Sequence, residues 1–137
     1  MAKNFHKLEN PMTATLPFIK ELTIAMRVSD LASSIEWYST VLGFEVMYQM
    51  DDMGWAELKS SVPGVNVGLS QVEEVKPGGP TPTWGVSDIE SARSTLESQG
   101  VKFDGDTMVI PEMVKLATFY DPDGNSLMLF ESLMGSM

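Results

Sequence analysis

The sequence lacks cysteine, and its only histidine is His6 near the start. Without cysteine there is no disulfide framework, no thiol nucleophile and no thiolate metal site. One histidine cannot supply the several imidazoles that transition-metal centres commonly use. The sequence also contains no GxSxG motif and no phosphate-binding loop. The familiar catalytic constellations are therefore excluded.

Positive charge is scarce as well. Nine Lys and Arg residues stand against 19 Asp and Glu residues, which gives a net charge of −10 and a pI near 4.3. Nucleic-acid binding depends on clustered Lys and Arg, and here these residues are scattered. We therefore predict no nucleic-acid partner. The acidic field either attracts a cationic ligand or only keeps a small protein soluble, and both interpretations stay open.

Long hydrophobic runs are absent too. No apolar stretch approaches the roughly 20 residues of a membrane-spanning helix, and residues 1–11 lack the apolar stretch of a signal peptide. These features predict a cytoplasmic protein without membrane contact. At 137 residues and 43% hydrophobic content, the chain can build one compact core.

The chain contains an internal repeat. Residues 28–31, VSDL, return as residues 86–89, VSDI, each time after an apolar stretch and before a helical pattern. Apolar residues then recur on one helix face, and Gly43 and Gly100 follow as stop signals. Ser87 with Glu90 forms a capping-box pattern at the second helix. Two copies indicate a pair of modules rather than a solenoid.

Short alternating runs separated by turn residues follow each helix, as expected for strands with one buried face. We predict strands over residues 44–50, 55–59, 65–71, 107–110, 114–120 and 126–130. The order is strand, helix and three strands, twice, in an α+β protein of two βαβββ modules. The predicted divisions are a flexible leader over 1–16, modules over 17–72 and 80–133, a linker over 73–79 and a tail over 134–137.

Three sequence blocks carry a family resemblance. VSDL is followed by Trp37-Tyr38 and by VLGF at 41–44, and DPDGN occupies 121–125. In this order, over residues 18–133, the chain resembles the glyoxalase/bleomycin-resistance/extradiol dioxygenase superfamily, also called vicinal oxygen chelate. The resemblance implies U-shaped mixed sheets that each cup a cavity, and a homodimer. Many members hold one divalent metal there.

The resemblance also places the expected metal ligands. They fall on Thr23, Gly68, Thr81 and Met128, none of which supplies an imidazole or a carboxylate. Of the nearest acidic residues, Glu57 and Glu131, strand alternation places Glu131 on the face opposite Met128. We therefore expect no metal and no cofactor.

Strand alternation, combined with the ligand positions that the resemblance gives, divides cavity residues from packed ones. In the fourth strand it places small polar residues around Gly68 as a floor. Arg27 either binds a ligand carboxylate or lies at the surface or a dimer edge. Aromatic and Met residues on strands are common in cores, which is the alternative to their contacting a ligand. The predicted cavity residues are Thr23, Ala25, Arg27, Tyr48, Trp55, Asn66, Gly68, Thr81, Met128 and Phe130.

Two functions remain from the sequence. The first is binding of a small molecule in a dimer groove, as the resemblance to metal-free bleomycin-resistance proteins implies. The second is an enzyme with a diverged site, either a glyoxalase-like lyase or isomerase or a dioxygenase relative. Glu57 and Tyr48 are then the candidate catalytic residues. The missing ligand set favours binding.

Overall fold

The computed structural model describes residues 16–134, so most of the predicted leader and tail lies outside the described residues. Each half contains a strand, a helix and three strands. The first half comprises β1 (Leu22–Val28), α1 (Leu31–Thr40), β2 (Glu45–Met50), β3 (Trp55–Lys59) and β4 (Val65–Gln71), with a 3-10 turn at Asp51–Met53. The second comprises β5 (Thr83–Gly85), α2 (Ile89–Ser98), β6 (Met108–Ile110), β7 (Val114–Tyr120) and β8 (Ser126–Ser132).

The strands form two four-stranded mixed sheets with equivalent topology. The first has the order β1-β4-β3-β2 and the second the order β5-β8-β7-β6. In each sheet the strand before the helix pairs in parallel with the last strand, and the other pairs are antiparallel. The predicted fold class of two βαβββ modules is confirmed. Within residues 16–134 each helix has ten residues, and neither could span a membrane.

Both helices begin at an aspartate. The Asp30 side chain accepts a hydrogen bond from the Ser33 backbone N–H, and Asp88 accepts one from Ser91. Each cap satisfies a backbone donor that the first helical turn leaves unpaired. The prediction of a capping box that begins at Ser87 is therefore wrong by one residue, because the cap of α2 is Asp88.

The last strand of each module also contacts the start of its helix. Gln71 Oε1 accepts a hydrogen bond from the Leu31 N–H at 2.7 Å, and Glu131 Oε1 accepts one from the Ile89 N–H at 2.8 Å. Gln71 is the last residue of β4, and Glu131 lies near the end of β8. The repeat seen in the sequence therefore extends to the contacts that fix each helix on its sheet.

One face of each sheet packs beneath the helices. The buried residues alternate along the strands, as a sheet with one covered face requires. They are Met26, Val28, Ala56, Leu58, Val67 and Leu69 in the first sheet and Ala117, Phe119, Leu127 and Leu129 in the second. Residues of both modules form one core, in which the Phe44 and Trp84 rings lie 5.4 Å apart between centroids. Trp84 packs against this core, as its strand parity predicts.

Candidate functional site

The face of the first sheet opposite the core carries a grid of polar and aromatic side chains, which we call the first-sheet face. Strand register arranges it in three rows, because residues paired across neighbouring strands project to the same side. The rows are Thr23, Asn66 and Lys59; Ala25, Gly68, Glu57 and Tyr48; and Arg27, Ser70, Trp55 and Met50.

A buried carboxylate lies in the middle row. Glu57 is only 7% exposed, although it projects from the face of the sheet opposite the core. The Thr23 hydroxyl donates a hydrogen bond to Glu57 Oε2 at 2.7 Å, the Tyr48 hydroxyl donates to Oε1 at 3.3 Å, and Asn66 Nδ2 donates to Oε2 at 3.4 Å. No Lys or Arg within residues 16–134 forms a salt bridge with it. Because two of these bonds are long, the carboxylate keeps capacity for a further donor.

The indole of Trp55 covers the sheet beside this carboxylate. A Cβ atom added at Gly68 would collide with Cη2 and Cζ2 of Trp55, so the ring lies directly against the Gly68 backbone. Gly68 therefore does not contribute an open floor, which differs from the expectation. The absence of a side chain at Gly68 allows the indole to lie there, and the surface that Trp55 presents is aromatic.

The corresponding face of the second sheet is different in character. The Phe130 ring covers Gly85, with Cζ 2.8 Å from where a Cβ would lie. Met128 pairs with Thr83 in the register, and the Thr81 and Ser126 hydroxyls are hydrogen bonded at 2.8 Å. None of the described strand residues on this face of β5 to β8 is charged. The residues on this face are Thr83, Gly85, Met108, Ile110, Val114, Leu116, Thr118, Tyr120, Ser126, Met128, Phe130 and Ser132.

Three of the predicted cavity residues line a cavity at the junction of the two modules. Thr23, Ala25 and Arg27 form one wall of a space of about 360 Å³. Ile24 and Met26 of β1 also line it. The remaining lining residues lie between β4 and β5 or at the start of β8, and are Lys76, Gly78, Pro80, Asn125 and Ser126. The predicted site residues therefore divide among the first-sheet face, the second sheet and this junction cavity.

The residues at the family's metal-ligand positions do not fit a metal ion. The Thr23 hydroxyl is bonded to Glu57, and Trp55 covers the place where a side chain at Gly68 would begin. Thr81 is paired with Ser126, and Met128 offers only a thioether. A divalent ion at the site that the resemblance implies needs imidazole or carboxylate ligands, and these four positions supply neither.

A group of three acidic residues occurs elsewhere, at the start of α2. Carboxylate oxygens of Asp88, Glu90 and Glu131 lie within 4.8 Å of one another. Each already has a partner, because Asp88 caps the helix, Glu131 accepts from Ile89 N–H, and Glu90 pairs with Lys115 at 3.3 Å. The group is explained by the helix start.

Some lining residues had no signal in the sequence. Lys76 lies in the linker, and Asn125 belongs to a turn that the sequence marks only as a turn. Alternation does place Glu57 on the same face as Trp55, but its burial and its bond to Thr23 depend on how β1 and β3 flank β4.

Comparison with known proteins identifies the family. The family model described as Glyoxalase/Bleomycin resistance protein/Dioxygenase superfamily matches residues 22–129. The chain belongs to this superfamily, as its sequence blocks predict. A comparison with curated proteins gave no match.

Solved structures of the same fold include proteins from several sources. A superfamily member from Sphaerobacter thermophilus is 26% identical, with a TM-score of 0.74 over 85% of this chain and 100% of that chain. An integron cassette protein from the mobile metagenome of the Halifax Harbour sewage outfall is 27% identical, with a TM-score of 0.71 over 81% and 97%. TnmS3, an antibiotic binding protein from a Streptomyces species, is 20% identical, with a TM-score of 0.71 over 86% and 99%.

Proposed function

We propose that this chain is a small-molecule-binding protein that takes its ligand on the first-sheet face, without a metal at the family's ligand positions. The observation that carries the proposal is Glu57, a buried carboxylate on a face that is otherwise open beside an aromatic platform. Burying a charged group costs free energy unless partners compensate it. Here neutral donors hold the carboxylate in place, and a ligand can complete its hydrogen bonding.

The chemistry of this face indicates the kind of ligand. Glu57 accepts hydrogen bonds, so it suits an N–H donor or a cationic nitrogen. The Trp55 ring offers a flat surface to a planar group, and Tyr48 beside it is half exposed. The net charge of −10 favours the approach of a cation over an anion. A planar molecule with a cationic or donor group fits all three features.

The proposal also draws on a structural relative and on our prediction of a homodimer. TnmS3 is an antibiotic binding protein of the same fold, which supports a ligand of the antibiotic type. We propose a homodimer in which a second copy forms the other wall of the groove, because the first-sheet face is open in a single chain. Tyr48 and Met50, at the edge of this face, are 48% and 41% exposed.

The test uses proflavine, a planar aromatic cation, and acridine, its largely uncharged parent. Proflavine should quench tryptophan fluorescence with an affinity that falls as salt rises. Glu57→Gln should weaken proflavine about tenfold, as expected for loss of a charge-assisted hydrogen bond, and acridine much less. Glu36→Gln removes the same charge from the exposed side of α1 and should leave both unchanged. Equal effects of the two variants on proflavine would refute the role of Glu57.

An enzyme is the second candidate, because Glu57 lies within hydrogen-bonding distance of two hydroxyl groups. A buried carboxylate of this kind could remove a proton next to a carbonyl, as in glyoxalase-like isomerisation. Hydroxyacetone in D₂O would then lose its carbon-bound proton signals faster with the protein than in buffer. Glu57→Gln would abolish the difference. If the wild-type protein does not accelerate exchange, this candidate is wrong and the binding function stands alone.

A further inference from the structure

We propose that the junction cavity is a second binding site, and that it holds an oxyanion, the carboxylate or phosphate group of a small molecule, between Arg27 and Lys76. The cavity shares Thr23, Ala25 and Arg27 with the first-sheet face, but neither Glu57 nor Trp55 lines it, so the proposal does not rest on the function proposed above. Three independent features of the cavity carry it.

The first feature is the pair of cations. Residues 16–134 contain seven Lys and Arg residues, and two of these, Arg93 and Lys115, form salt bridges. Arg27 and Lys76 form none with the described acidic residues, and both line the same cavity. The chain has a net charge of −10, so two cations without a salt bridge at one cavity give this place a charge opposite to that of the whole chain. Such a local positive charge attracts an anion.

The second feature is the backbone of β1. This strand is the end strand of its sheet on the side of the cavity, so its outer N–H groups are not paired with another strand. The Leu22 N–H and the Val28 carbonyl bond on the β4 side, and the Arg27 carbonyl accepts from Asn125 on the other side. Alternation therefore turns the N–H groups of Thr23, Ala25 and Arg27, which line the cavity, away from β4. Free backbone N–H groups next to cationic side chains are suitable donors to an oxyanion.

The third feature is that the nearby acidic side chains are hydrogen bonded to other residues and do not line the cavity. Asp123 accepts hydrogen bonds from the Ser29 N–H at 3.1 Å, and Asp121 accepts them from the Asn125 side chain and backbone. Glu57 is held by Thr23. Of the acidic residues, none is among those that line the cavity. The charged residues that line the cavity are therefore both cations.

The cavity wall is also fixed in place. Asn125 Nδ2 donates a hydrogen bond to the Arg27 carbonyl at 2.8 Å, which ties the end of β1 to the turn before β8. Arg27 can then bind a carboxylate or phosphate through two parallel N–H groups, while Lys76 adds a second positive charge to the same cavity. The volume of about 360 Å³ accommodates a small molecule that carries the anionic group.

The test is a titration of the full chain, labelled with ¹⁵N, at constant ionic strength. The probes are benzoate, phenyl phosphate and uncharged benzamide. Benzoate, phenyl phosphate or both should shift the backbone signals of Thr23 to Arg27 and of Lys76 to Gly78 in a saturable way, and benzamide should not. A preference for phenyl phosphate would identify a phosphate ester site, and a preference for benzoate a carboxylate site.

Matched variants locate the effect. Arg27→Gln and Lys76→Gln should each weaken the anion about tenfold, while Lys102→Gln, which removes one charge away from the cavity, should leave its affinity unchanged. No saturable shift at concentrations on the order of 10 mM, or equal losses in all three variants, would overturn the proposal. Lys76→Gln should not alter proflavine binding, and Glu57→Gln should not alter anion binding, so either site can fail without the other.

Discussion

A buried tyrosine hydroxyl joins the two modules. Tyr38 on α1 is fully buried, and its hydroxyl donates to Asp121 Oδ2 at 2.8 Å in the turn before β8. Asp121 is also buried and accepts further hydrogen bonds from the Asp123 and Asn125 N–H groups. The carboxylate therefore organises the DPDGN turn and holds it against the helix of the other module.

We predict that Tyr38→Phe destabilises the protein by about 1–3 kcal/mol, because a buried carboxylate then loses one of its donors. Tyr120→Phe makes the same chemical change at a partly exposed residue and should cost much less. Urea unfolding of the two variants and the wild type measures both effects. Equal losses of unfolding free energy in the two variants would show that the Tyr38–Asp121 hydrogen bond does not stabilise the protein.

The same pair predicts a dependence on pH. Burial, and then the negative charge of Asp121, raise the pKa of Tyr38 well above its usual value of 10.0. The folded state therefore disfavours ionisation, so this contribution is fully present below pH 10 and is lost as the pH rises above it. The free energy of unfolding should fall above pH 10 more steeply in the wild type than in Tyr38→Phe. Parallel curves would contradict this prediction.

The residues at the ligand positions predict indifference to metals. Because Thr23, Gly68, Thr81 and Met128 supply no imidazole or carboxylate, Zn, Ni, Mn and Fe(II) should not raise the melting temperature. A ligand that binds only the folded state would raise it with increasing concentration. If a saturable rise occurs and is lost in Glu131→Gln, the acidic group at the start of α2 is responsible. If it is lost in Glu57→Gln instead, the metal-free proposal for the first-sheet face is wrong.

At the scale of elements, one turn has an unfavourable residue. The turn from Ile110 to Met113 connects β6 and β7, and the Met113 N–H donates to the Ile110 carbonyl at 3.0 Å. Glu112 has φ of 66°, the only positive φ of a non-glycine residue within the described chain. Pro111 followed by a residue with positive φ matches a type II turn, in which glycine is preferred at that position.

We predict that Glu112→Gly stabilises the protein by about 0.5–1 kcal/mol, since glycine adopts positive φ without strain. Glu74→Gly in the linker, where φ is not positive, should be neutral or slightly destabilising. Chemical unfolding of both variants tests the difference. A loss of stability in Glu112→Gly would mean that the glutamate makes a contact worth more than the strain.

At the scale of the whole molecule, the edge strands β2 and β6 both carry exposed apolar residues. On β2 these are Val46, Met47, Tyr48 and Met50, and on β6 they are Met108, Val109 and Ile110. An edge strand with exposed apolar side chains is a common place for association. This distribution supports the proposed homodimer.

We predict a dimer in sedimentation equilibrium at tens of micromolar protein. If the groove is formed by the first sheet of one copy and the second sheet of its partner, then Glu57→Gln and Phe130→Ala dimers should each bind proflavine weakly. Subunit exchange between them should restore wild-type affinity in one groove of each mixed dimer. A monomer in sedimentation would contradict the shared groove, and a dimer without restoration would place the groove within one chain.

Much of the fold follows from local sequence. The strands β3, β4 and β7 have the predicted bounds, because their alternation and flanking turns leave little freedom. The repeated VSD blocks predict both helix starts, although the N-cap of α2 is Asp88 and not Ser87. The site was less predictable. Thr23 and Arg27 share a strand face as predicted, but the partners that meet them lie 34 to 98 residues away in the sequence.

The sequence by itself determined the family, the module order, the absence of the usual metal ligands and the face on which each strand residue lies. Those features depend on residue identity and on periods of two or 3.6 residues. Only the tertiary structure decided that Glu57 is buried beside Thr23, that Trp55 covers Gly68 and that Lys76 shares a cavity with Arg27. These contacts join distant segments, and their geometry depends on how strands and modules pack, which no local pattern encodes.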